Sequence, residues 1–185
     1  MSADDERQLI LQAKEGNIAA FRSLVDRHMR QAYNIAYGVV NDHEEAEDIA
    51  QESFVRIYRS MKSFRGESRF STWLYRIVTN VSFNRIAKLK SRLKHEVRVH
   101  NELMLQQADA IHPDHANDLQ LHIERAIHEL PTMQRAVVIL RHLNGLSTKQ
   151  VGGILRCSEG TVKTHLHRGL KKMKTLLIYI KDDNR

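Results

Sequence analysis

Cysteine occurs once and proline twice in these 185 residues, and aromatic side chains make up only 6%. The lone Cys157 excludes an internal disulfide and fits a reducing compartment. With prolines only at 113 and 131, little interrupts the helical spacing of apolar residues, and no run of alternating β-branched residues reads as a strand. The class predicted is all-α. Long hydrophobic runs are missing too. The run Leu176 to Ile180 is far too short to cross a bilayer, so no direct membrane insertion is expected. The acidic start (Asp4, Asp5, Glu6) is unlike a signal peptide, which places the chain in the cytoplasm. Hydrophobic content of 42% is enough for a packed core.

Acids are scarce in two particular stretches. From Arg56 to Lys94 there are Arg56, Arg59, Lys62, Arg65, Arg69, Arg76, Arg85, Lys88, Lys90, Arg92 and Lys94, against Glu67 alone. From Arg141 to Lys174 the only acid is Glu159. Net charge is +7, with a sequence pI near 9.7. Two separate basic blocks point to two contacts with nucleic acid. Before Arg56 the balance reverses, with Asp42, Glu44, Glu45, Glu47, Asp48 and Glu52.

The spacing predicts a first helix from Asp5 to Lys14, stopping near Gly16. Asn17 caps a second, which carries Phe21, Leu24, Val25, Ile35, Ala36 and Val39 inward. Asn41 with Glu44 reads as a capping box for a third, ending near Ser60. Residues 63–69 form a loop, and a fourth helix runs from about Ser71 to Lys90. Residues 95–118 lose periodicity and read as a flexible linker, with a short helix near Asn101 to Gln107. Two small domains follow, 1–94 and 119–185. Some 24 linking residues would reach about 80 Å if extended, enough to seat the domains on well-separated sites. In the second domain, Pro131 starts a helix to about Leu143, which Asn144-Gly145 ends. Ser147 with Gln150 is a second capping box. Ser147–Leu155, the turn Arg156-Cys157 and the helix opened by Ser158 form a helix-turn-helix, whose second helix is shaped for the major groove.

Three helix faces carry the chemistry. On the third helix Ala46, Ile49, Ala50, Ser53 and Ile57 line one side, while Asp48, Gln51 and Glu52 cluster opposite with Val55 among them. That face suits a basic helix of a partner protein. On the fourth, Leu74, Ile77, Val78 and Val81 face inward, and Arg76, Thr79, Asn80 and Phe83 outward. With Phe64 and Arg65 on the loop, this resembles a surface for unstacked bases: rings stack, amides bond base edges and Arg meets phosphate. On the last helix Val162, Leu166, Leu170, Met173 and Leu177 face the core, and Lys163, Thr164, His165, His167, Arg168 and Lys171 surround the exposed side. The eleven histidines suggest no metal site. Neither His112/His115 nor His165/His167 has ligand spacing with a third ligand nearby. No cofactor and no catalytic group is expected.

These segments resemble the extracytoplasmic-function sigma factors of bacterial RNA polymerase, over nearly the whole chain. Asp48-Ile49-Ala50-Gln51-Glu52-Ser53-Phe54 is similar to that family's core-binding segment. Ser63-Phe64-Arg65-Gly66-Glu67-Ser68, then Phe70-Ser71-Thr72-Trp73-Leu74-Tyr75-Arg76-Ile77 and Asn80, is similar to its minus-ten loop and helix. Leu130-Pro131, Gly145-Leu146-Ser147 and Glu159-Gly160-Thr161-Val162-Lys163 are similar to its minus-thirty-five domain. The resemblance implies that Asp48, Gln51, Glu52, Phe54 and Val55 meet the clamp helices of the largest polymerase subunit. Phe64, Arg65, Trp73, Arg76, Asn80, Phe83 and Asn84 would hold the opening minus-ten strand. Ser158, Thr161, Lys163, Thr164, His165, His167, Arg168 and Lys171 would read the minus-thirty-five duplex. It also implies a flap contact on the second-largest subunit, a linker threading toward the RNA exit path, and an anti-sigma regulator.

The chain departs from the family's pattern in three places. Gln150-Val151-Gly152 replaces Glu-Ile-Ala, with Gly153 following, and paired glycines weaken a helix. Arg156 stands where a glycine often turns the chain, so a left-handed backbone there is strained. His165 and His167 replace arginines, which implies a pH-sensitive upstream preference. Two other readings compete. A stand-alone helix-turn-helix regulator leaves the Asp48 face and the region 64–80 unused. An enzyme acting on nucleic acid needs a carboxylate or metal cluster that the sequence does not offer.

Overall fold

The computed structural model describes residues 3–99 and 118–183. Among them there are eight α-helices and no strand. The segment 100–117, with the helix expected near Asn101 to Gln107 and the pair His112 and His115, lies outside the described residues.

α1 (Ala3–Lys14) and α2 (Ile18–Val40) are joined by a turn in which Gly16 has φ 95°. The Asn17 side chain accepts from the Ala20 amide at 3.1 Å, as expected of an N-cap worth about 1 kcal/mol. α3 (His43–Ser60) starts one residue later than the capping pattern suggested. Asp42, not Asn41, is its cap, accepting from the Glu45 amide at 2.8 Å. Asn41 instead closes α2 in the left-handed conformation, φ 61°, which asparagine tolerates better than most residues.

A 3₁₀ turn (Met61–Ser63) and an exposed loop lead to α4 (Phe70–Val99). This helix is longer than expected and runs into residues read as linker. The buried residues Leu24, Ile35, Ile49, Ile57, Leu74 and Val78 knit α2, α3 and α4 into one core. Thr79 is fully buried as well, although the helical repeat had suggested an outward position. Ser53 and Ser82 are buried and donate to carbonyls one turn back, at 2.6 and 2.9 Å, so burial leaves neither hydroxyl unpaired.

The second half holds α5 (Asp118–His128), α6 (Thr132–Val138), α7 (Thr148–Leu155) and α8 (Glu159–Asp183). Pro131 precedes α6 with φ −54°, and the helix continues as a π turn, Ile139–Leu143, before Gly145 (φ 66°) breaks it. The Ser147–Gln150 capping box is present in both directions, at 3.1 and 2.8 Å. Arg156 does adopt the strained left-handed conformation, φ 53°. Gly169, not Leu170, faces inward: Val138 Cγ2 lies 3.1 Å from where a Cβ on Gly169 would be, and Leu170 is 39% exposed.

Sequence reading treated the halves as separable, yet they touch. Arg135 on α6 donates to the Val39 carbonyl of α2 at 3.0 Å, and α7 packs on α4.

Candidate nucleic-acid and polymerase interfaces

The acidic face of α3 is built by the helical repeat. Ala46, Ile49, Ala50, Ser53 and Ile57 go into the core. That leaves Asp48, Gln51 and Val55 exposed and Glu52 half-buried. Val55 keeps nearly half its surface open. Glu52 is partly occupied: Arg56 meets one of its oxygens at 2.5 Å, and Arg85 from α4 meets the other at 3.5 Å. Arg85 also reaches Glu45 at 2.8 Å and so ties α4 to α3. The sequence reading missed this role. Its signal was a single base on the side of α4 that faces an acidic helix. Phe54 does not lie on the acidic face. It is 4% exposed, because it follows Ala50 by four residues and precedes Ile57 by three, which puts it on the core stripe.

The minus-ten candidates divide between surface and core. Phe64 is buried at 7% exposure and stacks on Trp73 with ring centroids 4.8 Å apart. Phe70 meets both rings edge-on, at 6.1 and 5.9 Å. Each such aromatic pair adds about 1 kcal/mol beyond burial. Lys14 of α1 donates to the Phe64 carbonyl at 3.0 Å and pins the start of the loop. The expectation of an open Phe64 ring is therefore corrected: it anchors the loop rather than facing solvent. Beyond it the chain turns at Gly66 (φ 75°), and Arg65 and Glu67 stand out into solvent as a loose pair at 3.7 Å.

On α4, Trp73, Arg76, Asn80, Phe83 and Asn84 recur at three- and four-residue intervals and share one side of the helix. Arg76 and Asn84 are exposed, while Trp73, Asn80 and Phe83 are half-buried. Phe83 packs partly against the core, so it is less open than the pattern implied.

The helix-turn-helix is closed by backbone contact. The Cys157 amide donates to the Gly152 carbonyl at 3.0 Å. A Cβ on Gly152 would lie 2.8 Å from the Cys157 carbonyl oxygen. Gly152 is therefore required for the turn to pass this close, and it is more than a helix-weakening departure. Ser158 caps α8: its hydroxyl accepts from the Thr161 amide at 3.1 Å and lies 2.8 Å from the Thr161 hydroxyl. Lys163, Thr164, His167, Arg168 and Lys171 are exposed along one side of α8. His165 is half-buried, with its Nδ1 enclosed and unpaired, and is the least open of the set. Lys172 is anchored on the Glu129 carbonyl at 2.6 Å. Among the described residues, no group of three His, Cys, Asp or Glu could hold a metal ion, and no helix is long and apolar enough to cross a membrane.

Comparison with known proteins decides the family. Residues 24–92 match the model for Sigma-70 region 2, and residues 120–173 match Sigma-70, region 4. The ECF RNA polymerase sigma factor SigW of Bacillus subtilis is 37% identical over 179 residues, covering 92% of this chain and 96% of that protein. The chain belongs to the ECF RNA polymerase sigma factors. An ECF sigma-E factor of Haemophilus influenzae is 30% identical, covering 88% of this sigma factor and 90% of its relative. Among solved structures, the sigma factor RpoE in complex with the anti-sigma factor NepR, from Bartonella quintana, has a TM-score of 0.70 at 24% identity, covering 86% of this chain and 98% of that one. CnrH in complex with the cytosolic domain of CnrY has a TM-score of 0.65 at 24% identity, covering 95% and 98%. These two likenesses extend the agreement to the fold. With both regions matched, a stand-alone helix-turn-helix regulator is not favoured.

Proposed function

We propose that this sigma factor brings core polymerase to promoters through three faces with separate tasks, and that it performs no bond chemistry itself. The observation that carries the proposal is the placement on one chain of an exposed acidic helix face and two exposed basic ones. Asp48, Gln51, Glu52 and Val55 grip the clamp helices of the largest subunit, with Phe54 supporting them from beneath. The 65–69 loop, Trp73, Arg76, Asn80, Phe83 and Asn84 hold the minus-ten strand once it leaves the duplex, and Phe64 fixes the loop. Lys163, Thr164, His167, Arg168 and Lys171 read the minus-thirty-five duplex from the first turns of α8. Ser158 and Thr161 hold the helix start in shape, and His165 lies at the edge of this surface. Capture of unstacked bases offsets an unstacking cost of a few kcal/mol per base and so favours the open form. The sigma factor acts in the cytoplasm. An anti-sigma protein, the kind of partner present in the solved relatives, holds it inactive at the inner membrane face.

Asn80→Ala tests the melting role. Transcription is expected to drop about tenfold on duplex promoters and to change little on promoters already mismatched over the minus-ten element. Equal loss on both templates would contradict strand capture. Lys171→Ala should weaken duplex binding for every sequence and lower the slope of log affinity against log salt by about 1. A sequence-selective loss with the slope intact would assign Lys171 to base edges instead.

A further inference from the structure

We propose that Arg156 is a further DNA-binding residue, which from the turn of the helix-turn-helix holds a backbone phosphate at the rim of the minus-thirty-five groove. The inference deepens the promoter reading above and rests on it.

The backbone gives the first reason. Five of the described residues have a positive φ. Gly16, Gly66 and Gly145 have no Cβ to clash, and Asn41 has a short side chain that tolerates the left-handed region. Arg156 is the fifth, at φ 53° and ψ 45°. Its long side chain does nothing to favour that conformation. At four positions the chain meets the same demand with a residue that suits it; at the fifth it keeps a strained one. Strain of this kind persists only where the surroundings impose it, and it gathers at functional sites. The surroundings here are on the page: the amides of Arg156 and Cys157 both donate to the Gly152 carbonyl, the second at 3.0 Å, and Gly152 itself is buried against the turn.

The side chain gives the second. Arg156 is exposed, and none of the ion pairs among the described residues involves it. Glu159, the only acid between Arg141 and Lys174, is not paired with it either. The guanidinium is therefore open to a partner. A cation at the end of α7 also suits the helix dipole. That demand alone would be met without strain by a base in the last turn of α7, which carries none.

Position gives the third. Arg156 stands two residues before Ser158, the cap of α8, so their Cα atoms are at most about 7 Å apart. The start of α8 is the part that enters the groove. The major groove is about 12 Å wide, so its phosphate rims flank a helix on its midline by about 6 Å. A side chain anchored just outside the helix start meets a rim, not the base edges. The planar guanidinium fork matches the oxygens of a phosphate. Arginine in place of the family's frequent glycine thus adds a charge at the rim while the turn keeps its shape.

Arg156→Gly tests this, because it should move stability and binding in opposite directions. Glycine adopts the left-handed turn freely, so the variant should melt about 2 °C higher than the parent. Bound to core polymerase, it should hold promoter duplex about fivefold more weakly at physiological salt, with the slope of log affinity against log salt lowered by about 1. The loss should be the same for every minus-thirty-five sequence, since phosphates carry no sequence information. Arg156→Lys, which keeps the charge, should recover most of the affinity and the slope. Unchanged affinity in Arg156→Gly would overturn the proposal. A loss with the slope intact, a loss confined to some sequences, or a loss accompanied by a lower melting temperature would overturn it as well, the last by making Arg156 a structural turn residue. If the parent chain with core polymerase fails to prefer promoter duplex over unrelated duplex, it is the promoter reading that fails.

Discussion

Asp48→Arg is expected to reduce affinity for core polymerase by about 100-fold or more, because like charges brought together across an interface cost several kcal/mol. Asp48 is exposed in the first half of α3, and none of the ion pairs among the described residues involves it. It is therefore open to a partner. Glu52, its neighbour on the same face, is different: its oxygens already answer Arg56 and Arg85. Glu52→Ala should lose less binding at the interface, and it releases part of the tie between α3 and α4 as well. Because Asp48 is on the surface, its reversal should leave thermal stability within about 0.5 kcal/mol. Binding of duplex by the same full-length variant should be unaltered. The check is titration of labelled core polymerase with the parent and variant chains, alongside melting curves for each. A variant that folds normally and binds polymerase as the parent does would remove α3 from the interface.

Gly152→Ala should have the second large effect, and Gly153→Ala should move stability the opposite way. Both substitutions gain up to about 1 kcal/mol of helix propensity over glycine. At Gly153 no atom lies within 4 Å of the new Cβ, so that gain is kept. At Gly152 the Cβ would lie 2.8 Å from the Cys157 carbonyl oxygen, a backbone atom that cannot rotate aside. The turn must then open, at a cost of about 1–3 kcal/mol for overpacking. Arg156, already held at φ 53°, adds strain at the same point. The recognition helix moves relative to α7, and minus-thirty-five binding should fall by at least tenfold while polymerase binding persists. Melting curves and duplex titrations of the two variants side by side provide the measurement. Stabilisation by Gly152→Ala with unchanged duplex affinity would contradict the turn geometry.

Much of this was legible in the sequence because periodicity and caps are local properties. The α3 stripe of Ala46, Ile49, Ala50, Ser53 and Ile57, the Asn17 cap, the Ser147–Gln150 box and the left-handed Arg156 all depend on residues within one or two turns of each other. The misses share a physical cause: each needed a contact from elsewhere in the chain, or a residue without an obvious side-chain signal. Gly169 has no side chain to count in an apolar pattern, so Leu170 was given its place. The regular series Val162, Leu166, Gly169, Met173 and Leu176 would have corrected it. Phe54 was readable from spacing alone, but the likeness to a core-binding segment drew it to the surface. Phe64 could not be placed without knowing that Trp73 and Phe70 fold over it. Arg135 gave no local signal, since its partner Val39 is 96 residues away.

The central claim is that one chain sets the start site by touching promoter DNA at two points while bound to core polymerase. The most direct measurement is run-off transcription by core enzyme with the purified chain, on templates in which the spacer between the two elements is varied base pair by base pair. The account predicts start sites that appear only when the chain is present, tolerate a change of a single base pair, and vanish when half a helical turn is inserted. Start sites that core polymerase chooses equally well without the chain, or that ignore the spacer, would contradict it.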